Sequence, residues 1–122
     1  MKVHKASLEN FENEILNSSK PCMVKFSHDG CHLCVELKPI YVELAKKYAD
    51  VMNFFDIDSL EETRLTTIFS DDGVPTIYFF VNGDGAEIPY PEDDHSGYSK
   101  ESLTNFINNF IKGNIKIVKE EE

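Results

Sequence analysis

Two cysteines separated by two residues, Cys31 and Cys34, are the part of this sequence best suited to chemistry. They stand where a short apolar segment gives way to a long helical pattern, so we expect Cys31 at a helix N-terminus and Cys34 one turn inside. Unpaired backbone N–H groups and the helix dipole favour an anion at that terminus, here the thiolate of Cys31. The sequence therefore predicts thiol–disulfide exchange, with Cys31 as the attacking thiol and the more enclosed Cys34 as the resolving thiol.

Neighbouring histidines leave alternatives open. A protonated His32 between the two cysteines would stabilise a thiolate, although it is equally compatible with a plain exposed residue of the first turn. Four residues of the types that bind zinc also fall close together, namely His28, Cys31, His32 and Cys34. No second ligand cluster is visible, because His4 and His95 are isolated, so we expect no bound metal. Two unreactive cysteines are the remaining alternative.

The bulk composition describes one acidic domain. The chain has 122 residues and a formal net charge of −10, which argues against binding to nucleic acid or to anionic membranes. No apolar run is long enough to span a membrane, and no secretory signal is visible at the N-terminus. We therefore expect a cytoplasmic monomer, or a lumenal domain if the chain is excised from a longer protein. Residues 1–118 are predicted to form the domain and residues 119–122 an acidic tail.

The elements that must position the cysteines follow from apolar periodicity and turn residues. Pro39 lies inside the long helix and should kink it. In order, the predicted elements are an edge strand at 3–5, a helix at 8–17 capped by Ser7, a strand at 22–27, a helix from 31 to 48, a strand at 51–57, a helix at 60–69 capped by Ser59, strands at 76–81 and 85–89 joined by Asn82-Gly83, a loop at 90–97, and a helix from Ser99 to Gly113. This order predicts an α/β fold with a central mixed sheet of four or five strands and helices on both faces.

Two motifs carry a resemblance to a known family. The segment 31–34, with Pro39 five residues after the second cysteine, resembles the active-site helix of thioredoxins and protein disulfide isomerase domains. The segment 73–76, Gly-Val-Pro-Thr before a β run, is similar to a second family motif. The likeness covers nearly the whole chain. It implies a thioredoxin-like fold and a protein-disulfide oxidoreductase whose redox group is the Cys31–Cys34 pair, with no other cofactor. It also implies protein or peptide disulfides as substrates and allows a reductase as a partner.

The resemblance assigns further site residues. In the family the proline that matches Pro75 is cis and faces the dithiol, and the backbone of the preceding residue, here Val74, binds the substrate chain. Gly30 stands where the family usually has an aromatic residue, so a rigid apolar wall beside the attacking sulfur is missing and the loop is freer.

A third departure concerns charge. Lys25 occupies the position of a buried acidic residue that assists proton transfer in the family, and Phe54 occupies that of its usual lysine partner. A buried lysine needs a partner, and Asp56 should share its face by the alternation of strand residues. We predict a reversed Lys25–Asp56 pair beneath the dithiol that favours the thiolate of Cys34. In the alternative, Lys25 extends outward to solvent and has no chemical role.

Two functions from different classes therefore remain. The first is an enzyme that exchanges protein disulfides, in a direction that the sequence does not determine. The second is a binding or redox-sensing module of the same fold with weak or no turnover, which the loss of the aromatic wall and of the acid favours. Cys22, at the start of the predicted strand, is expected to be a buried small hydrophobic residue.

Overall fold

The computed structural model describes residues 3–91 and 97–115. The tail predicted at 119–122, most of the loop predicted at 90–97, and His95 lie outside these residues. Within them the chain forms five strands and three α-helices: β1 (Val3–Lys5), β2 (Cys22–Ser27), α1 (His32–Lys47), β3 (Asn53–Asp58), α2 (Thr63–Phe69), β4 (Thr76–Val81), β5 (Asp84–Ile88) and α3 (Lys100–Ile111). One π-helical turn at Glu12–Leu16 precedes β2.

The strands form a single mixed sheet in the order β1-β3-β2-β4-β5. β1 and β2 run parallel to β3, whereas β4 runs antiparallel to β2 and to β5. Asn82 and Gly83 both adopt positive φ, at 53° and 88°, as the tight turn between β4 and β5 requires. The predicted mixed sheet of four or five strands is confirmed, and its central strand, β2, leads directly to the dithiol.

Helices cover both faces of the sheet, as predicted. On one face, α1 and α3 pack against alternate residues of the strands, and the buried contacts include Met23, Leu37, Tyr41, Leu44, Phe54, Ile77, Phe79, Leu103 and Ile107. On the other face, the π-helical turn and α2 cover the remaining alternate residues, among them Phe11, Ile15, Cys22, Val24, Phe26, Phe55, Ile57, Leu65 and Phe80. The period-2 alternation of β2 therefore places Lys25 on the α1 face, together with Met23.

The first predicted helix is wrong in type and extent. Residues 8–10 form turns, and the helix that follows is one π-helical turn, closed by a bond from the Asn17 N–H to the Glu12 carbonyl at 2.9 Å. Ser7 does not cap it, because the turn begins at Glu12 with Phe11 as its N-cap residue, while the Ser7 N–H donates to the side chain of Asn10 at 2.8 Å. Leu8, the first member of the apolar stripe, is half exposed. The apolar face that is buried is therefore shorter than the spacing of apolar residues in 8–17 predicts.

The helix predicted at 60–69 begins later, at Thr63, and Ser59 is not its cap. The Asp58 carboxylate instead accepts the N–H groups of Leu60 and Glu61, at 2.8 and 3.2 Å, and holds them in a turn. Asp58 thus satisfies the donors that a helical start at residue 60 would have left free. The final helix is capped by Ser99 as predicted, through a reciprocal pair of bonds with Ser102.

Tyr41 fastens α1 to the middle of the sheet. Its hydroxyl donates to the carbonyl oxygens of Met23 at 3.0 Å and Phe55 at 2.8 Å, and its side chain is 1% exposed. Burial in this apolar layer, with the charge of Asp56 as a second cause, raises the pKa of the phenol well above 10.

We expect Tyr41→Phe to lower the free energy of unfolding by about 1–3 kcal/mol, because two buried carbonyls lose their shared donor. Denaturant unfolding followed by circular dichroism measures the change. Tyr48→Phe is the matched control, since its hydroxyl makes a single partly buried bond to Asn108, at 2.9 Å. A smaller loss for Tyr41→Phe than for Tyr48→Phe would contradict this explanation.

Candidate active site

The two cysteines lie between the end of β2 and the start of α1, and they form a disulfide. Cys31 is the N-cap of α1, and its Sγ accepts the backbone N–H of Cys34 at 3.2 Å. The Cα atoms are 5.1 Å apart. Cys31 is partly exposed, whereas Cys34 is only 4% exposed. The structure therefore places one sulfur at the surface, at the N-terminus of α1, and the other one turn inside.

The segment that carries Val74 and Pro75 faces the exposed sulfur. The Val74–Pro75 peptide bond is cis, and the Val74 carbonyl oxygen lies 3.8 Å from the Sγ of Cys31. A cavity of about 540 Å³ opens beside them, with Leu33 on the dithiol side and Tyr90 on the β5 side. An extended chain lying in this cavity would contact Val74, whose carbonyl oxygen lies next to the Cys31 sulfur.

Beneath the dithiol, Lys25 is buried and paired. It is 3% exposed, which excludes the alternative in which it extends to solvent. Its Nζ lies 3.2 Å from Oδ1 of Asp56, and Lys25 and Asp56 are also direct register partners of β2 and β3. Lys25 Nζ donates to the Ser27 hydroxyl at 3.1 Å, and that hydroxyl donates to Asp56 at 3.2 Å. The ring of Tyr41 lies 5.2 Å from the ammonium group.

This ion pair shares a cavity with the inner cysteine. A space of about 210 Å³ is lined by Lys25, Asp56 and Cys34, with Lys38 at its rim. The Asp56 side chain is 35% exposed, so the pair is buried at its cationic end and hydrated at its anionic end. The ammonium end and the carboxylate end of the pair therefore both border the space next to the resolving thiol.

The remaining predicted residues are at the surface. The His32 side chain is 83% exposed and its Nε2 lies 3.0 Å from the Glu36 carboxylate, one turn along α1. Gly30 is exposed, and its N–H donates to Nδ1 of His28 at 3.1 Å. No aromatic wall stands at position 30, and the imidazole of His28 folds back over the loop instead.

Within the described residues, neither a cluster of metal-binding side chains nor a third thiol lies at the site. Among residues 3–91 and 97–115, no three His, Cys, Asp or Glu side chains lie close enough to hold a metal ion, so the zinc set considered from the sequence is not assembled. Cys22 is fully buried at the opposite end of β2, about 16 Å along the strand from Ser27. Desolvation by burial raises the pKa of the Cys22 thiol.

No helix in the described part of the chain is long and apolar enough to cross a membrane.

Sequence reasoning did not single out Ser27, Asp72, Glu87 and Tyr90. Ser27 carries a recognisable signal, because it lies two residues after Lys25 and so on the same face of β2. Tyr90 donates its hydroxyl to the Pro75 carbonyl, and only the fold reveals that contact. Asp72 and Glu87 line the cavity beside Pro75 from different elements, with no sequence pattern linking them.

Comparison with known proteins identifies similar chains of two kinds. The model of the family described as Thioredoxin matches residues 2–109. A thioredoxin of Rickettsia prowazekii is 30% identical over 110 residues, which cover 89% of this chain and 99% of that protein.

Two fungal proteins named as protein disulfide-isomerases are also similar. The protein tigA of Aspergillus niger is 35% identical over 102 residues, covering 81% of this chain and 27% of its own length. The protein erp38 of Neurospora crassa is 38% identical over 101 residues, covering 80% of this chain and 26% of its own length. The chain thus spans about a quarter of these two relatives and nearly all of the bacterial one.

Proposed function

The chain belongs to the thioredoxin family, and we propose that it exchanges protein disulfides by a cycle in which Cys31 attacks and Cys34 resolves. The class of chemistry, thiol–disulfide oxidoreductase, is the one predicted from the sequence, and the family membership and the disulfide-bonded pair confirm it. The observation that carries the assignment of roles is the position of Cys31. It is the exposed sulfur, it caps α1, and it faces the Val74 carbonyl.

The reductive cycle has two displacements. The Cys31 thiolate attacks one sulfur of a substrate disulfide; a Cys31–substrate bond forms, the substrate S–S bond breaks, and the departing sulfur takes up a proton. The Cys34 thiolate then attacks the Cys31 sulfur and expels the second substrate thiolate, leaving the Cys31–Cys34 disulfide and a reduced substrate. Two electrons pass from the protein to the substrate. An external dithiol returns them, and the reverse sequence oxidises a substrate dithiol.

Each step uses a feature of the site. The helix N-terminus stabilises the anion at Cys31, both before attack and when Cys31 is the leaving group. The Val74 backbone and the cavity beside it are proposed to hold an extended substrate segment next to the exposed sulfur. We assign a smaller role to His32, because the Glu36 carboxylate at 3.0 Å offsets the charge that a protonated imidazole would bring.

The reversed ion pair is proposed to act on the second displacement. The Lys25 ammonium group and the Asp56 carboxylate both border the cavity of Cys34, but only the ammonium group is buried. Water screens the partly exposed carboxylate more strongly, so the pair favours the thiolate form that resolves the mixed disulfide. Asp56 and Ser27 hold the ammonium group in place. In this chain Lys25 is therefore proposed to stabilise the Cys34 thiolate, and it does not accept the proton of the thiol.

Reduction of insulin disulfides, with dithiothreitol as the electron source, tests the proposal. We expect catalytic turnover well above that of dithiothreitol alone. Capture of peptides without turnover would support the binding-module alternative instead and overturn the enzymatic one. Equilibration of the Cys31–Cys34 pair in glutathione buffers then gives its reduction potential, which decides between a reductant and an oxidant or isomerase.

Membership in the thioredoxin family implies that the substrates are protein disulfides. An external reductase, a monomeric state and a cytoplasmic location stay predictions of the sequence. We propose further that the dithiol is the sole redox group, because it supplies both electrons of the cycle itself.

A further inference from the structure

Two neighbouring cavities, the first of which reaches Leu33 and Val74 next to the dithiol, share the same acidic residues. The first, of about 540 Å³, starts at Leu33 and Val74 and extends to Tyr90. The second, of about 140 Å³, reaches Tyr78 on the surface of β4. Asp72 and Glu87 line both cavities. A substrate segment that leaves Cys31 along this groove therefore passes two carboxylates contributed by different elements, the loop before β4 and strand β5.

Among the residues that the structure describes, none neutralises the charge of this groove. Asp72 and Glu87 are exposed, and within residues 3–91 and 97–115 neither forms an ion pair. No lysine or arginine of the described chain lines either cavity. The field of Glu87 extends into the groove, since it adds to partial burial in raising the pKa of Tyr78. A cationic side chain of a substrate would supply the missing counter-charge.

Aromatic rings stand on either side of these carboxylates. Tyr90 lines the cavity nearer the dithiol, where its hydroxyl is held by the Pro75 carbonyl. Tyr78 lines the second cavity and lies directly across from Glu87 in the pairing of β4 with β5. A carboxylate next to an aromatic face suits a guanidinium or ammonium group on a long apolar stem, because the stem packs on the ring while the charge meets the carboxylate.

We propose that Asp72 and Glu87 select substrates with a lysine or arginine close to the reacting cysteine. This inference rests on the proposed function and specifies its substrate class. In an extended segment, side chains two residues apart point the same way and are about 7 Å apart. A basic residue two or four positions from the substrate cysteine is thus positioned to enter the groove while the cysteine meets Cys31.

Matched disulfide peptides test the proposal. Three fluorogenic peptides differ only in carrying arginine, glutamine or glutamate two residues from the reacting cysteine, and kcat/KM is measured for each. At low salt we expect the arginine peptide to exceed the glutamate peptide by about tenfold, through faster association and tighter binding. The ratio should fall as salt is added, because exposed charges are screened.

Variants assign the preference to the groove. In Asp72→Asn/Glu87→Gln we expect the arginine, glutamine and glutamate peptides to react at nearly equal rates, because the two carboxylates that distinguish them are gone. Glu14→Gln/Asp50→Asn is the matched control, because it removes the same net charge from exposed positions away from the dithiol end of the sheet and should keep the preference. Equal rates for the three peptides with wild-type protein would overturn this inference alone. No reaction with any peptide would overturn the proposed function itself.

Discussion

Replacing Cys31 with serine is expected to lower the rate of insulin disulfide reduction by at least about 10³-fold, because a serine hydroxyl is not ionised near neutral pH and cannot attack a disulfide. In the proposed cycle every turnover passes through the exposed sulfur, so no other group at the site can replace it. The turbidity of the reduced insulin chains measures the rate. The fold should be retained, since Cys31 is partly exposed and caps α1 with an acceptor atom that serine also supplies.

Cys22→Ala is the control for removing a cysteine. Cys22 is fully buried at the far end of β2, so its loss should leave the rate within about twofold of wild type while lowering stability by the loss of a small buried side chain. Activity that survives Cys31→Ser but not Cys22→Ala would contradict the assignment of the attacking thiol.

Lys25→Met is expected to slow the second displacement by roughly 10- to 100-fold at pH 7, because it removes the positive charge that borders the cavity of Cys34. Methionine keeps most of the buried volume. Asp56 stays 35% exposed and keeps its bond from Ser27, so we expect the free energy of unfolding to change by only about 1 kcal/mol. The chemical effect should therefore be much larger than the effect on stability.

The pH profile separates this electrostatic role from a structural one. Loss of a neighbouring cation disfavours the thiolate, so Lys25→Met should raise the pKa of the Cys34 thiol, and the slow resolution should recover as pH increases. In a Cys22→Ala/Cys31→Ser background Cys34 is the only remaining thiol, and its thiolate absorbance at 240 nm gives the titration directly. A damaged fold would lower the rate at every pH.

Lys38→Met is the matched control, because Lys38 lines the same cavity but is exposed. Water screens its charge, so the Cys34 titration should move little. If Lys25→Met leaves the Cys34 pKa unchanged, or if Lys38→Met raises that pKa by the same amount, the buried ion pair does not tune the resolving thiol.

Local patterns in the sequence predicted much of the fold and part of the site. The sheet followed from the order of the elements, and the placement of the cysteines followed from the change from a strand pattern to a helix pattern at residue 31. Strand alternation predicted Asp56 as the partner of Lys25, beside the alternative that Lys25 extends to solvent, and the burial of Lys25 decides between the two. Ser99 was recognised as a cap because it precedes an uninterrupted apolar stripe.

The sequence was not sufficient where side chains compete for the same backbone groups. Asp58 takes the N–H donors of Leu60 and Glu61 at the predicted start of the helix at 60–69, which begins later as a result. The helix predicted at 8–17 is reduced to one π-helical turn at Glu12–Leu16. The acidic groove was beyond sequence reasoning for another reason. Asp72 and Glu87 are 15 positions apart in the sequence. They line one cavity because the β4–β5 hairpin brings Glu87 back beside the loop that contains Asp72.

The most direct test of the central claim is to trap the mixed disulfide in a Cys34→Ser variant. Without the resolving thiol, the first displacement should stop at a covalent complex with a disulfide substrate. Digestion under non-reducing conditions and mass spectrometry then identify the cysteine that holds the substrate. We predict a cross-link to Cys31 alone. A cross-link to Cys22, or the absence of any covalent complex, would contradict thiol–disulfide exchange through the exposed sulfur of the Cys31–Cys34 pair.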